Sequence, residues 1–150
     1  MMRGRPLAWI LLTSLAPAST GCIALLAEKP IRVGPKPLAG TRWLLQTVDG
    51  ASVPVDTEST LAFDSSGTIS GNGGCNDFTA GVDISGDALL PGALHVEGAP
   101  CDAALMALQS RYFAALADTA RYEAGDSYLL LLDDQGRQRL GLSRLLPPSP

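Results

Sequence analysis

Three cysteines and one histidine hold most of the reactive side-chain chemistry in this chain. Cys75 sits in the run Gly71-Asn72-Gly73-Gly74-Cys75-Asn76-Asp77-Phe78, Cys101 lies 26 positions further on, and Cys22 follows Ser19-Thr20-Gly21. A cysteine nucleophile needs an oriented base. The single histidine, His95, has no orienting partner beside it, so a Cys–His pair is not expected. No G-x-S-x-G elbow occurs, which disfavours a serine hydrolase. The glycine-rich run is no phosphate loop, because it lacks the terminal Lys with Ser or Thr and the helix that must follow. Asp83, Gly86 and Asp87 do not give the regular oxygen spacing of a calcium loop. Asp133-Asp134 and Asp56/Glu58 lie in polar, turn-like stretches and read as solvated loop charges. The expectation is no catalytic residue, no metal and no cofactor, and hence no enzyme.

Cys22 has a different chemistry. Arg3 and Arg5 precede an apolar stretch, Leu7–Ala16, followed by small residues. This is the pattern of a secretory signal, too short to span a bilayer, which takes about 20 apolar residues. Gly21-Cys22 resembles a bacterial lipobox, with Ser19 where Leu is commonest. Small residues let the chain enter the peptidase, and the sulfur then carries the diacylglycerol. Residues 1–21 are expected to be a lipoprotein signal peptide and Cys22 the lipidation site, with two or three acyl chains anchoring the protein stably. An ordinary cut near Ala18 is the competing reading. Ile23 after the cysteine, rather than Asp, suggests the periplasmic face of the outer membrane.

With Cys22 lipidated, Cys75 and Cys101 are left. An even remainder in an exported chain reads as a disulfide, stabilising by about 3.5 kcal/mol for a loop of this length. Two reduced, buried thiols are the alternative.

These residues must be positioned by a small fold. The chain has 150 residues, 46% hydrophobic and 17% charged, with 16 Gly, 11 Pro and a formal net charge of −4. That is one domain's worth of sequence, turn-rich, and too acidic to hold nucleic acid on a basic face. Residues 22–38 carry three Pro and two Lys and read as a lipidated linker. A domain follows over 39–146, then a Pro-rich tail at 147–150. Strands are expected at 41–48, 60–63, 68–70, 82–84, 88–90, 94–97, 121–124, 128–132 and 139–142. Residues 102–118 contain no Gly or Pro. Leu105, Leu108, Tyr112 and Leu116 make one helical face, widened by Met106 and Phe113, with Asp102 as N-cap. The expected fold is α+β: an antiparallel sheet of about eight short strands curled around one helix. A monomer is expected.

Three Gly and two Asn within six residues imply positive φ and close backbone approach in the 71–78 run, where a strand must bend sharply. At this point the sequence resembles the META domain, the fold of HslJ-type heat-shock lipoproteins. The resemblance runs through Leu38-Ala39-Gly40-Thr41-Arg42-Trp43, Leu61–Phe63, Gly71–Phe78 with Gly81, Cys101, Leu105-Met106, Phe113, Leu116 and 126–132. Two places depart from the family. A Thr and a Met usually precede the second Cys, where this chain has His95–Pro100. A Glu common on the helix is replaced in the region of Gln109 and Ser110. The resemblance implies a link to heat shock and novobiocin resistance and brings no catalytic residues. Gly71, Asn72, Gly73, Gly74, Asn76, Asp77 and Phe78 are accordingly expected to be structural first, with binding as the second role. The function expected is a non-enzymatic envelope lipoprotein that binds or scaffolds an envelope protein under stress. A small hydrophobic-ligand carrier, marked by an unfilled interior, and a hydrolase inhibitor, marked by an exposed loop, are the alternatives.

Overall fold

Alternation of inward and outward side chains sets the first strand, β1 (Thr41–Val48), in which Thr41, Trp43 and Leu45 are buried. A bulge between Leu45 and Thr47 shifts the alternation by one, so the next buried residue is Val48 rather than Thr47. The computed structural model describes residues 35–147. Cys22, the signal peptide and most of the linker lie outside them.

The remaining strands are β2 (Ala51–Ser52), β3 (Thr60–Phe63), β4 (Thr68–Asn72), β5 (Asp77–Ser85), β6 (Ala88–Pro91), β7 (His95–Glu97), β8 (Arg121–Ala124), β9 (Tyr128–Leu132) and β10 (Gln138–Leu145). The helix α1 (Ala103–Ala117) lies between β7 and β8. All pairings are antiparallel.

The sheet does more than curl. β10 pairs with β1 over Arg42↔Leu145 to Val48↔Leu140, so the strands β1-β3-β4-β5-β6-β8-β9-β10 close into a ring of eight. Closure removes the exposed edges that a curled open sheet would leave. β2 and β7 hang on the ring as short additions to β1 and β5. The thinnest seam joins β6 to β8 through the single pair Ala88↔Arg121. Two backbone bonds close it, Leu89 N–H to Ala120 at 3.0 Å and Tyr122 N–H to Asp87 at 2.9 Å.

Leu61, Phe63, Ile69, Phe78, Leu89, Leu129, Leu131, Leu140 and Leu142 from the ring form one core with Leu108, Tyr112, Ala115 and Leu116 of α1. Apart from the Ser59 hydroxyl, which is buried without a hydrogen-bond partner, the buried side-chain polar groups around this core are paired. Trp43 Nε1 donates to Thr41 Oγ1 at 2.7 Å, and that hydroxyl donates to Leu38 O at 2.6 Å. Tyr112, fully buried, donates its hydroxyl to Thr60 O at 3.1 Å, and burial pushes the phenol above its ordinary pKa.

The reading of Asp133-Asp134 as solvated charges is corrected at its first residue. Asp133 is buried in the β9–β10 turn. Its carboxylate accepts N–H bonds from Gln135 at 3.0 Å and Arg137 at 2.9 Å, and pairs with Arg137 Nε at 2.7 Å. Burial disfavours the charge, but the Arg137 and Gln135 hydrogen bonds outweigh it and hold the carboxyl below its usual pKa. Its stabilisation is therefore present above the ordinary carboxylate value, about 3.9, and is lost as pH falls through the depressed folded-state value. Asp64 behaves alike, lowered by the Ser66 hydroxyl and the Thr68 and Ser66 N–H groups against burial. Asp133→Asn is expected to flatten the acid limb of the Tm–pH curve, from about pH 5 to about pH 2. An unchanged limb would mean that the turn carboxylate carries no linkage.

Candidate functional site

The 71–78 run is not one bent strand. β4 ends at Asn72, β5 begins at Asp77, and residues 73–76 turn between them, closed by Gly73 N–H to Asn76 O at 2.8 Å. Asn72 organises the turn from both ends. Its Oδ1 accepts the Gly74 N–H at 2.7 Å, and its Nδ2 donates to Asp77 Oδ1 at 2.9 Å. Within the run only Gly74 takes a positive φ, +105°. Gly71 and Gly73 serve the second expectation, close approach. A Cβ on Gly73 would lie 2.6 Å from Phe113 Cζ and 2.8 Å from Gln109 Cγ.

Three links fasten this hairpin to α1 and to the segment that leads into it. Cys75 and Cys101 are bridged, with Cα atoms 5.9 Å apart, and the next residue, Asp102, caps the helix by accepting from Ala104 and Leu105 N–H groups at 3.0 Å each. Asn76 Nδ2 donates to Ala99 O at 2.8 Å. The third link is Gln109, whose Oε1 accepts the Asn76 N–H at 2.8 Å, with its Nε2 3.4 Å from Asn76 Oδ1. Sequence reasoning treated Gln109 only as a departure from the family. The signal was present: position 109 lies four after Leu105 and three before Tyr112, on the buried stripe, where a polar residue needs a partner. Gln109 is 5% exposed. Gln109→Leu removes the acceptor and leaves the buried Asn76 N–H unpaired. It is expected to lower unfolding free energy by about 2 kcal/mol, measured by denaturant titration, whereas Gln109→Glu keeps the acceptor and should lose less.

Phe78 enters the core edge-on to Tyr112 and Phe113, with centroids at 5.8 and 5.1 Å. His95 lies on exposed β7 opposite Thr79, and Glu97 opposite Asp77. Cys75, being bridged, is no nucleophile. Among the described residues no group of three His, Cys, Asp or Glu could hold a metal ion, and no helix is long and apolar enough to cross a membrane.

The hairpin forms one wall of an open groove of about 880 Å3. Asn72, Gly74 and Asp77 contribute that wall, the 55–58 loop the facing rim, and Arg42 the end of β1. Leu44, Leu105 and Leu145 supply apolar surface within it. The loop is held by Val53 N–H to Gln46 O at 2.8 Å and Leu45 N–H to Ser59 O at 2.8 Å. Asp56 and Glu58, read as solvated charges, are indeed exposed but flank this groove. None of Arg42, Asp56, Glu58 and Asp77 takes part in the ion pairs formed among the described residues.

The sequence pattern that defines the META domain matches residues 36–144. No curated protein matches the chain. Among solved structures, an NMR structure of a protein from Burkholderia xenovorans shares 23% identity, with a TM-score of 0.60, covering 73% of this chain and 85% of its own. A second NMR structure shares 24% identity with a TM-score of 0.57, covering 71% and 90%. A DUF4847 family protein from Bacteroides vulgatus is 12% identical, with a TM-score of 0.52 over 71% and 93%. These three likenesses concern the fold. The match over 36–144, together with the hairpin, bridge and helix that occupy it, places this chain in the META domain family.

Proposed function

We propose that the chain is a non-enzymatic lipoprotein, held at the periplasmic face of the outer membrane through Cys22, whose META domain binds or scaffolds an envelope protein under stress. The observation that carries this reading is the open groove whose wall is a hairpin fastened by three links. A rigid wall loses little conformational freedom on binding, which favours affinity. The barrel interior is filled by Trp43, Phe78, Tyr112 and the surrounding leucines, which supports binding at the surface over carriage of a small apolar ligand within the ring. The hairpin tip is tied down rather than protruding, which weighs against an inhibitory loop. The acidic balance of the domain argues against a nucleic-acid partner.

The test places a photoactivatable phenylalanine analogue at Thr57, in the groove rim, in the full chain expressed in its own cells. A discrete protein adduct from Thr57, absent when the probe sits at exposed Gln135 across the domain, is expected and should grow under heat or antibiotic stress. Absence of any Thr57-specific adduct under both conditions overturns the groove as the working surface. Cys22→Ala should abolish labelling by radioactive palmitate and block processing; unchanged labelling and processing overturn the lipid anchor.

A further inference from the structure

The groove has a definite chemistry, and from it we infer the class of its occupant: an extended, cationic segment of a protein, carrying Lys or Arg side chains interspersed with an aliphatic one. This inference rests on the groove being the working surface. Its rim carries Asp56 and Glu58 on one side and Asp77 on the other, against the single cation Arg42. Asp77 also faces a smaller cleft lined by Phe78, Thr79, His95 and Glu97, and Glu97 is its direct cross-strand neighbour. The acidic track therefore continues past the hairpin onto β7, and its length suits a chain rather than a compact ion.

Like charges directly opposite on neighbouring strands are unfavourable, and among the described residues no cation pairs with either carboxylate. Asp56, Glu58 and Glu97 are exposed, with no ion-pair partner among the described residues. Asp77 accepts from Asn72 at one carboxylate oxygen, Oδ1, which fixes the side chain and leaves Oδ2 for a ligand donor. The half-buried Leu44, Leu105 and Leu145 offer an apolar seat below the rim. This combination excludes two other occupants. An anionic lipid headgroup or polyanion meets three carboxylates, and a purely apolar ligand leaves them desolvated without partners. The rest of the domain points the same way: residues 35–147 hold fourteen Asp and Glu against seven Lys and Arg, a field that steers cations inward.

The probe is a fluorescein-labelled dodecapeptide of three Lys-Ser-Leu-Ser repeats, titrated by fluorescence polarisation against the full chain purified in a non-ionic detergent. Binding is expected, weakening at least tenfold as salt rises from about 50 to about 500 mM. The peptide with Glu in place of Lys should not bind, and the peptide with Ser in place of Leu should bind at least fivefold more weakly. Asp56→Asn with Glu58→Gln removes two exposed charges that hold nothing in the fold, and should weaken the wild-type peptide about tenfold. Asp83→Asn with Glu123→Gln removes two charges outside the groove and should leave affinity within twofold. Equal loss from both double variants reduces the effect to net charge and overturns the inference, as does equal binding of the Lys and Glu peptides or no binding at all. A Thr57 adduct in cells together with failure of the lysine peptide overturns the cationic occupant alone and leaves the groove as the binding surface; loss of the adduct overturns both.

Discussion

Replacing Gly71 by alanine is expected to lower the unfolding free energy by about 3 kcal/mol, the upper end of what overpacking does in a filled core. Gly71 lies in β4, and the new Cβ would overlap the carbonyl oxygen of Thr60, lie 2.8 Å from that carbonyl carbon and 3.1 Å from Phe78 Cε1. None of these can swing aside as a flexible side chain would. The Thr60 carbonyl belongs to β3 and receives the Tyr112 hydroxyl; the Phe78 ring packs against Tyr112 and Phe113. Relief must come from moving β3 away from β4, which disturbs the ring of strands and the seating of α1 together. At about 4–8 °C per kcal/mol for a domain near 100 residues, Tm should fall by roughly 15 °C. Gly81 is the internal control, a β5 glycine with nothing within 4 Å of its would-be Cβ and no positive φ. Gly81→Ala should change stability by less than about 0.5 kcal/mol. Thermal scans of both variants in the oxidised full chain decide the matter, and equal Tm values would show that the close approach at position 71 is not a constraint.

Much of the fold was legible because it is written in short periods. β1, β3, β8 and β9 announce themselves by β-rich residues between turn signals, and their bounds agree with the expected ones. The helix follows from the 105–108–112–116 spacing, and Asp102 caps it as read. What stayed hidden depends on partners far apart in the chain. The closing pair β1–β10 joins residues about a hundred positions apart, and no local pattern states that register, so a curled sheet was as far as the alternation could lead. β2 is two residues long and carries no period. Asp133 looks like its exposed neighbour Asp134; only the bend of the β9–β10 turn folds Gln135 and Arg137 back over it. The hairpin was recognisable as a special backbone from its glycines, but the groove beside it draws on β1, the 55–58 loop, β3, α1 and β10 as well. A site assembled from six segments has no contiguous motif, and its acids, taken singly, are ordinary surface charges.

Removing the bridge with Cys75→Ala and Cys101→Ala together should lower stability by about 3.5 kcal/mol, the loop-closure value for the 26-residue separation. The effect acts on the unfolded chain, which gains freedom, more than on native contacts. Native structure should persist, because Asn76 still bonds Ala99 and Gln109 still receives the Asn76 N–H. A reductant must then lower the wild-type Tm to that of the double variant and leave the double variant unmoved. An unaltered wild-type Tm after demonstrated reduction would remove the bridge from the account of stability. The two fastenings also share one target, the residue pair Cys75-Asn76, so their effects should couple. With the bridge intact, the loop around Asn76 stays against α1 even after Gln109→Leu, and its N–H remains buried and unpaired. With the bridge gone, the tip can lift and let water reach that N–H, so the same substitution should be milder. A double-mutant cycle with a coupling of at least about 0.5 kcal/mol in that direction is expected, and strict additivity would mean that the hairpin is held at 76 by Gln109 and at 75 by sulfur as two independent anchors.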